Sequence, residues 1–480
     1  MSKIPLSAVL CLLSSVASAG ITADFGAEVG KIRPELHSSG FGPTICSQTE
    51  QDLEDVKSMG FAFARTHDWA LVNPNQRVCD YFHIFPLMHL DATDPKNYVF
   101  GPTDYLLKRT REESGLDVFY RLGTSIEHSG EKIHFNSLIP EDFDKVAEIF
   151  AGTVRHYNRG WADGHKWNVR YWEIWNEPDG HNNMWCLPEG DGRREDWGKT
   201  DPKRRDLFVR FFVTVLKRLK AEFGDEIKVG GPALCSFKDS WFRPIFDACR
   251  QAGVAPDFIS WHGYVNDPKQ FNRDAERGRK LLDEYGFAKC EMIVNEWHYF
   301  GYQDYNWTDM QRCSDPKVKA RIWSGPRSHN GIHSACFSLA TLANLQRSKL
   351  AQAYHYGCRH TGSWGFKDEH QEKYKVFYAL KMFGDLVKSY PTMCGSTSEG
   401  AYTTLAVKST DGSKKALLVV DYGGKARTLA VGVKGAASVR SCTVLDYTRD
   451  LAQQATMLKD GQLTLEKADD NSAAFFIEFE

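Results

Sequence analysis

The sequence predicts a (β/α)8 TIM barrel followed by an antiparallel β-sandwich. Two observations carry this. Between about residues 50 and 390, short apolar runs alternate with amphipathic helical patterns, strand then helix, and the count of strands reaches eight. Beyond Pro391 no amphipathic helix recurs, and short alternating runs are separated by Asp411-Gly412, Gly423-Gly424 and Asp460-Gly461. The 480 residues accommodate both parts.

In chain order, the first barrel strand is expected near residues 21–28. A helix over 51–59 ends at Gly60 and leads into a strand at 61–65. Helix 104–114 precedes strand 116–120. A long amphipathic helix over 140–158, opening on Glu141 and Asp142, precedes strand 169–175. Helix 206–223 and strand 227–230 follow, then helix 241–252 and strand 258–262, then helix 274–285 and strand 291–296. Helix 331–348, strand 351–356 and helix 374–388 complete the barrel. Short strands are expected at 401–408, 416–422, 428–433, 438–447, 462–466 and 473–479. The predicted division is therefore a leader at 1–19, a barrel at 20–392 and a sandwich at 393–480, to which residues near the mature N-terminus can contribute.

The leader is read from Lys3, an apolar stretch from Ile4 to about Val16, and the small residues Ala17-Ser18-Ala19 before Gly20. This predicts a secreted or periplasmic protein. The stretch is too short to span a bilayer, and no other segment offers some eighteen consecutive apolar residues, so no membrane association is expected. Eleven cysteines follow the leader, without a CxxC pair. Export allows some to pair, with Cys46, Cys79, Cys186 and Cys313 as the loop candidates. A net charge of −2 gives no pull toward nucleic acid. Aromatic residues make up 13% of the chain, thirteen of them tryptophan, which suits sugar stacking or an aromatic core equally. No HExxH or comparable ligand cluster occurs, so neither metal nor cofactor is expected. Nothing in the sequence fixes an oligomeric state.

Two strand ends carry the chemistry. Tyr171-Trp172-Glu173-Ile174-Trp175-Asn176-Glu177-Pro178 is an apolar strand running into Asn-Glu-Pro. Proline stops ladder pairing, so Glu177 sits at the strand's C-terminal end, the end that faces the active site of a barrel. Met292-Ile293-Val294-Asn295-Glu296-Trp297-His298 is a second apolar strand reaching a carboxylate. These are the fourth and seventh strands, which lie across the barrel mouth from each other. Two carboxylates placed to flank one bond are what glycoside cleavage needs. At about 5–5.5 Å they serve as nucleophile and acid/base; at about 6.5–9.5 Å a water fits between them and the reaction inverts.

The chain resembles the clan of retaining (β/α)8 glycosidases with glutamates on strands four and seven, and within it glycoside hydrolase family 39, the β-xylosidases and α-L-iduronidases. The matching pieces are Arg65-Thr66-His67-Asp68, Tyr171 to Pro178, Val229-Gly230-Gly231-Pro232-Ala233, Asp257 to His262 and Asn295-Glu296-Trp297. The resemblance implies an acid/base role for Glu177 and a nucleophile role for Glu296. It also implies that Asn176 binds the sugar 2-hydroxyl and that His67 and His262 contact substrate.

Other expectations come from position. Tyr264 either hydrogen-bonds Glu296 or packs. His67 and Asp68 either touch sugar or form a local polar network. Arg65 is expected as a buried cation beside Glu296, and Trp364 and Phe366 as walls of the glycone pocket. His298 orients or packs. Gly263-Tyr264-Val265-Asn266 offers no base for an acidic glycone, leaving Arg359 and Lys367 as the basic candidates, so a neutral glycone is preferred. Long loops at 79–91 and 180–206 narrow the cleft to an end-acting pocket. The expected partner is an oligosaccharide or polysaccharide, cut exo-wise in β-xylosidase fashion. Iduronidase-like, glucuronidase-like, endo-glycanase and catalytically silent sugar-binding readings stay open.

Overall fold

The computed structural model describes residues 20–40, 50–69, 77–125, 138–180, 184–187, 202–361, 364–368 and 370–480. The leader, Cys46 and most of the 180–206 loop lie outside the described residues.

Eight parallel strands close a barrel in sequence order: β2 (Ser38–Gly40), β3 (Phe63–Arg65), β4 (Asp117–Leu122), β5 (Tyr171–Ile174), β6 (Lys228–Leu234), β7 (Phe258–Val265), β8 (Glu291–Tyr299) and β9 (Gln352–Tyr356). The ring closes where Ser38, Ser39 and Gly40 pair with Tyr354, His355 and Tyr356. Around it run α1 (Glu50–Met59), α2 (Tyr81–Ile84), α3 (Gly101–Lys108), α4 (Phe143–Arg159), α5 (Pro202–Phe223), α6 (Asp239–Gln251), α7 (Gln270–Glu284), α8 (Trp307–Arg312), α9 (Pro316–Trp323), α10 (Ile332–Leu345) and α11 (Lys375–Ser389). Helix α4 shows how sequence sets such an element. The Asp142 side chain accepts from the Lys145 amide at its start, Val146, Ile149, Phe150, Val154 and Tyr157 form the buried stripe, and Gly160 in the left-handed region ends it.

The expected first barrel strand belongs elsewhere. β1 (Thr22–Lys31) pairs antiparallel with β12 (Thr392–Ser396) and parallel with β15 (Thr428–Lys434), inside the C-terminal sheet. Ile21, Ala23 and Phe25 are buried, and the residues between them are exposed or half-buried. That period of two suits a sheet with one dry face, whereas a barrel strand is covered on both. The barrel instead begins with Ser38-Ser39-Gly40, three small residues with no apolar pattern to read.

The C-terminal sheet has ten strands, completed by β13 (Tyr402–Lys408), β14 (Lys415–Asp421), β16 (Val439–Leu445), β17 (Asp450–Gln453), β18 (Leu458–Lys459), β19 (Gln462–Glu466) and β20 (Ala473–Phe479). It curls as a sandwich over a core of its own that includes Phe25, Leu417, Val419, Val431, Val444, Leu463 and Phe475. Leu418 and Val420 point the other way, into the barrel's core. All fourteen residues of α10 are buried, and the helix packs against β8 on one side and β13, β14 and β20 on the other. Its mostly apolar sequence, interrupted only by small or hydrogen-bonding residues such as His333, whose ring meets Ser472 Oγ at 2.8 Å, suits a helix sandwiched between two layers.

Among the described residues, Cys79 and Cys313 are free thiols. This corrects the disulfide expectation for those two. Cys79 and Cys186 are buried in the packing rather than displayed on loops.

Candidate active site

The site is assembled at the C-terminal ends of β3, β5, β7 and β8. After β5 the backbone turns sharply: Trp175 and Glu177 have φ of 74° and 45°. A bulky residue at positive φ is costly and persists only where its surroundings fix it. Here the Trp175 amide donates to the Leu122 carbonyl and its indole to the Met184 carbonyl, each at 2.7 Å. A Cβ on Gly123 would come within 2.8 Å of the indole, so the turn needs glycine there. The Glu177 amide donates to the Ala233 carbonyl at 2.9 Å. The turn points Asn176 down toward β3 and Glu177 across toward β7.

Arg65, fully buried at the end of β3, is the hub beneath. Its guanidinium donates to Glu173 Oε2 at 2.7 Å, Glu296 Oε1 at 2.8 Å and Asn176 Oδ1 at 2.7 Å. Burial opposes its charge, and the two carboxylates more than restore it, so its pKa is raised. Glu173 also accepts from Ser260 and from Asn295, both at 2.6 Å. The sequence reading gave Glu173 no role. Its signal was present: a charged residue between Trp172 and Ile174 in a barrel strand must face inward and must be paired.

Glu296 comes from within β8, not from its end, because the strand continues to Tyr299. The register against β7 slips between the Trp261–Val294 and His262–Glu296 pairs, so Asn295 is an extra residue. Such a bulge re-aims side chains, here allowing Asn295 to reach Glu173 while Glu296 reaches Arg65. The Tyr264 hydroxyl donates to Glu296 Oε2 at 2.7 Å. Burial pushes the Glu296 carboxyl above its usual range; His262 and Arg65 pull it back, while Glu177 adds to the rise.

Glu177 has the opposite surroundings. Burial pushes its carboxyl up to about 8, and the neighbouring Asp179 charge adds to this. Asp179 is held by Lys238 Nζ at 2.5 Å and by the Cys235 amide at 2.9 Å. His262 Nδ1 lies 2.7 Å from Glu177 Oε1 and 3.3 Å from Glu296 Oε2. Burial lowers the His262 pKa to about 4, so the ring is neutral at neutral pH. One oxygen of each glutamate and a His262 nitrogen lie within 4.8 Å of one another.

His67 is buried, with Nε2 3.6 Å from Glu296 Oε1 and 3.7 Å from Asp68 Oδ1. Burial and then Arg65 hold its pKa well below the ordinary value. Both His67 ring nitrogens, Asn176 Nδ2 and His262 Nε2 are buried without a hydrogen-bond partner. Trp364 stands edge-on to Tyr264 at 5.7 Å and to Tyr356 at 5.2 Å, with Trp307 stacked 6.3 Å away. Trp307 and Tyr356 were not foreseen. His298 packs, its ring 4.2 Å from that of His329.

Phe366 does not join this wall. It lies in the short β11 (Gly365–Lys367), which pairs with β10 (Arg359–Thr361), and its ring is buried against Phe61 and Phe377. The alternation across that short strand turns it toward α11. Lys367 is bound by Asp52 at 2.8 Å and Asp55 at 2.9 Å and is buried, so it offers no charge to a ligand. The Arg359 side chain lies outside the described residues. Among the described residues, two groups converge closely enough to hold a metal ion: Glu177, His262 and Glu296, and, elsewhere, Asp104, His156 and His165.

No protein-family model matches this chain. It is 27% identical to a beta-xylosidase of Caldicellulosiruptor saccharolyticus over 267 residues, 52% of this chain and 46% of that protein. It is 27% identical to a beta-xylosidase of Geobacillus stearothermophilus over 129 residues, 26% of this chain and 22% of that protein. The chain thus spans less than half the length of these curated relatives. Among solved structures, a glucosidase from Croceicoccus marinus superposes with a TM-score of 0.70 at 17% identity, covering 97% of this chain and 99% of that one. An alpha-L-arabinofuranosidase from Thermotoga maritima superposes at 0.59 and 15% identity, covering 96% and 99%. At these identities the structures establish the fold: a closed parallel barrel joined to a curled β-sheet domain.

Proposed function

We propose that the protein is a retaining exo-glycoside hydrolase, with Glu296 as nucleophile and Glu177 as acid/base, acting on a terminal neutral sugar in β-xylosidase fashion. The observation that carries this reading is the pair itself: two glutamates from opposite strands, one oxygen of each within 4.8 Å, in unlike surroundings. Nearest oxygens this close favour the short separation of a retaining pair over the roughly 6.5–9.5 Å between carboxyl groups that makes room for an inverting enzyme's water. The two curated relatives named beta-xylosidase support the sugar class.

The chemistry follows from the surroundings. Arg65 and Tyr264 stabilise negative charge on Glu296, so this carboxylate attacks the anomeric carbon. Glu177, with a pKa near 8, holds its proton at neutral pH and delivers it to the departing oxygen. Once Glu296 is esterified its charge is gone, the Glu177 carboxyl becomes more acidic, and it draws a proton from the incoming water. The orphaned Asn176 Nδ2, His67 and His262 nitrogens would find partners in the sugar hydroxyls. Among the described residues, Arg65 is engaged by Glu173, Glu296 and Asn176, and Lys367 by Asp52 and Asp55, which favours a glycone without a carboxylate of its own. Residues 1–19 would direct export, where polymeric substrate is met.

The deciding experiment is proton NMR of an aryl β-xyloside digest during its first minutes. The first-formed xylose should be the β anomer, and an initial α anomer would sink the retaining assignment. No turnover across a panel of aryl glycosides and natural oligosaccharides would sink the enzyme reading.

A further inference from the structure

We propose that Asp104, His156 and His165 bind a divalent transition-metal ion, zinc by donor chemistry, that pins the end of α4 to α3. The site is independent of the glycosidase reading. His165 lies in the segment entering β5, and Glu177 follows that strand's other end.

The geometry is built by the turn after α4. Ala162 and Asp163 both have φ of 56°, and the chain doubles back on the helix it has just left. The His165 amide donates to the His156 carbonyl, the Gly160 amide to the His165 carbonyl, and the Trp167 amide to the Tyr157 carbonyl. A Cβ on Gly164 would lie 2.2 Å from the His156 carbonyl oxygen, so only glycine allows this approach. The fold-back brings two histidines nine positions apart onto one aspartate. His156 Nε2 is 3.0 Å from Asp104 Oδ1, and His165 Nε2 is 3.6 Å from the same oxygen. All three ligand atoms lie within 4.8 Å of one another. Tetrahedral zinc with bonds near 2.0–2.1 Å separates its ligands by roughly 3.3 Å, a value the two measured distances bracket.

Further features favour a cation. His156 Nδ1 lies 3.0 Å from the Trp161 carbonyl. A carbonyl can only accept, so Nδ1 carries the proton and Nε2 is turned to Asp104 as the ligating atom, the orientation metal-binding histidines are given. The rings are clamped: His156 stacks on Phe100 at 3.6 Å and His165 on Trp167 at 3.8 Å. His156 is buried, while Asp104 and His165 side chains keep 27% and 28% exposure, so a fourth position remains open to water. The C-terminal end of α4 adds its own negative potential. Two histidines and a carboxylate with one open position suit zinc among the available ions.

The test uses the full-length mature protein, stripped with a chelator and titrated with Zn2+ by calorimetry and with Co2+ by its visible absorption. One equivalent per chain should bind with a four- or five-coordinate cobalt spectrum. His165→Ala and Asp104→Asn should each weaken binding about tenfold or more. Glu296→Gln, which alters the other convergent group, should leave it intact. Zinc should raise the melting temperature of the wild type and not that of His165→Ala. Absence of heat and of a cobalt spectrum in the wild type would overturn the proposal. So would binding that survives both substitutions or disappears only in Glu296→Gln.

Discussion

Glu177 and Glu296 are the same residue type, sit at the same end of the same barrel and share one histidine, yet their surroundings differ in kind. Glu296 faces a guanidinium and a phenol; Glu177 faces a second carboxylate, Asp179, through its own backbone turn. Burial raises both. Only Glu296 has a directly bonded cation to offset it. The lesson is that the role of a carboxylate is set by what the neighbouring strands place against it. In this site the decisive neighbours come from β3 and β7.

Substitutions can break that comparison. Glu296→Ala should abolish turnover, with a loss of about 10⁴-fold or more in kcat, as removal of a nucleophile does. Residual activity within tenfold of wild type would remove Glu296 from the role. Glu177→Ala should cost about 10²–10⁴-fold on substrates with poor leaving groups and far less on nitrophenyl glycosides, which need no proton. Equal losses on both would contradict the acid/base assignment. The pH profile sharpens the contrast. Glu177 must hold its proton, so kcat/KM should fall as pH rises through about 8, and this alkaline limb should vanish in Glu177→Ala. Glu296 must be ionised, so activity should also fall on the acid side. Tyr264→Phe removes one hydrogen bond to that carboxylate, worth about 1.5–3 kcal/mol. The acid limb should move to higher pH and kcat/KM should drop roughly tenfold or more; an unmoved acid limb would show that Tyr264 only packs.

The two glutamates differed in legibility for the same physical reason. Pro178 forbids a continuing strand and so announces that Glu177 lies just beyond β5, which ends at Ile174. Glu296 lies three residues before the end of its strand, and its direction depends on a bulge at Asn295 that no local pattern announces. Helices such as α4 were readable from caps and stripes. The barrel's first strand was not, because Ser38-Ser39-Gly40 carries no apolar signal and is held by β3 and β9 on either side. The apolar alternation at Ile21, Ala23 and Phe25 was visible, but its two-residue period was assigned to the wrong sheet. Phe366 and Trp364 are two positions apart and share an aromatic character; only tertiary packing separates a core ring from a site wall. The Asp104, His156 and His165 group was invisible for a different reason: its ligands come from three segments that only a fold-back brings together.

The placement of β1 has a consequence for how the chain is made. Ala23 pairs with Ser396, and Thr22 with Gly432, so β1 waits for partners that emerge about 370–410 residues later. At about 5–20 residues per second that is of the order of tens of seconds to over a minute. Throughout that interval Ile21 and Phe25 sit on an unpaired strand, the kind of segment that recruits stray edges. A ribosome stalled before β12 would leave β1 without either partner, beside a barrel whose eight strands have already emerged.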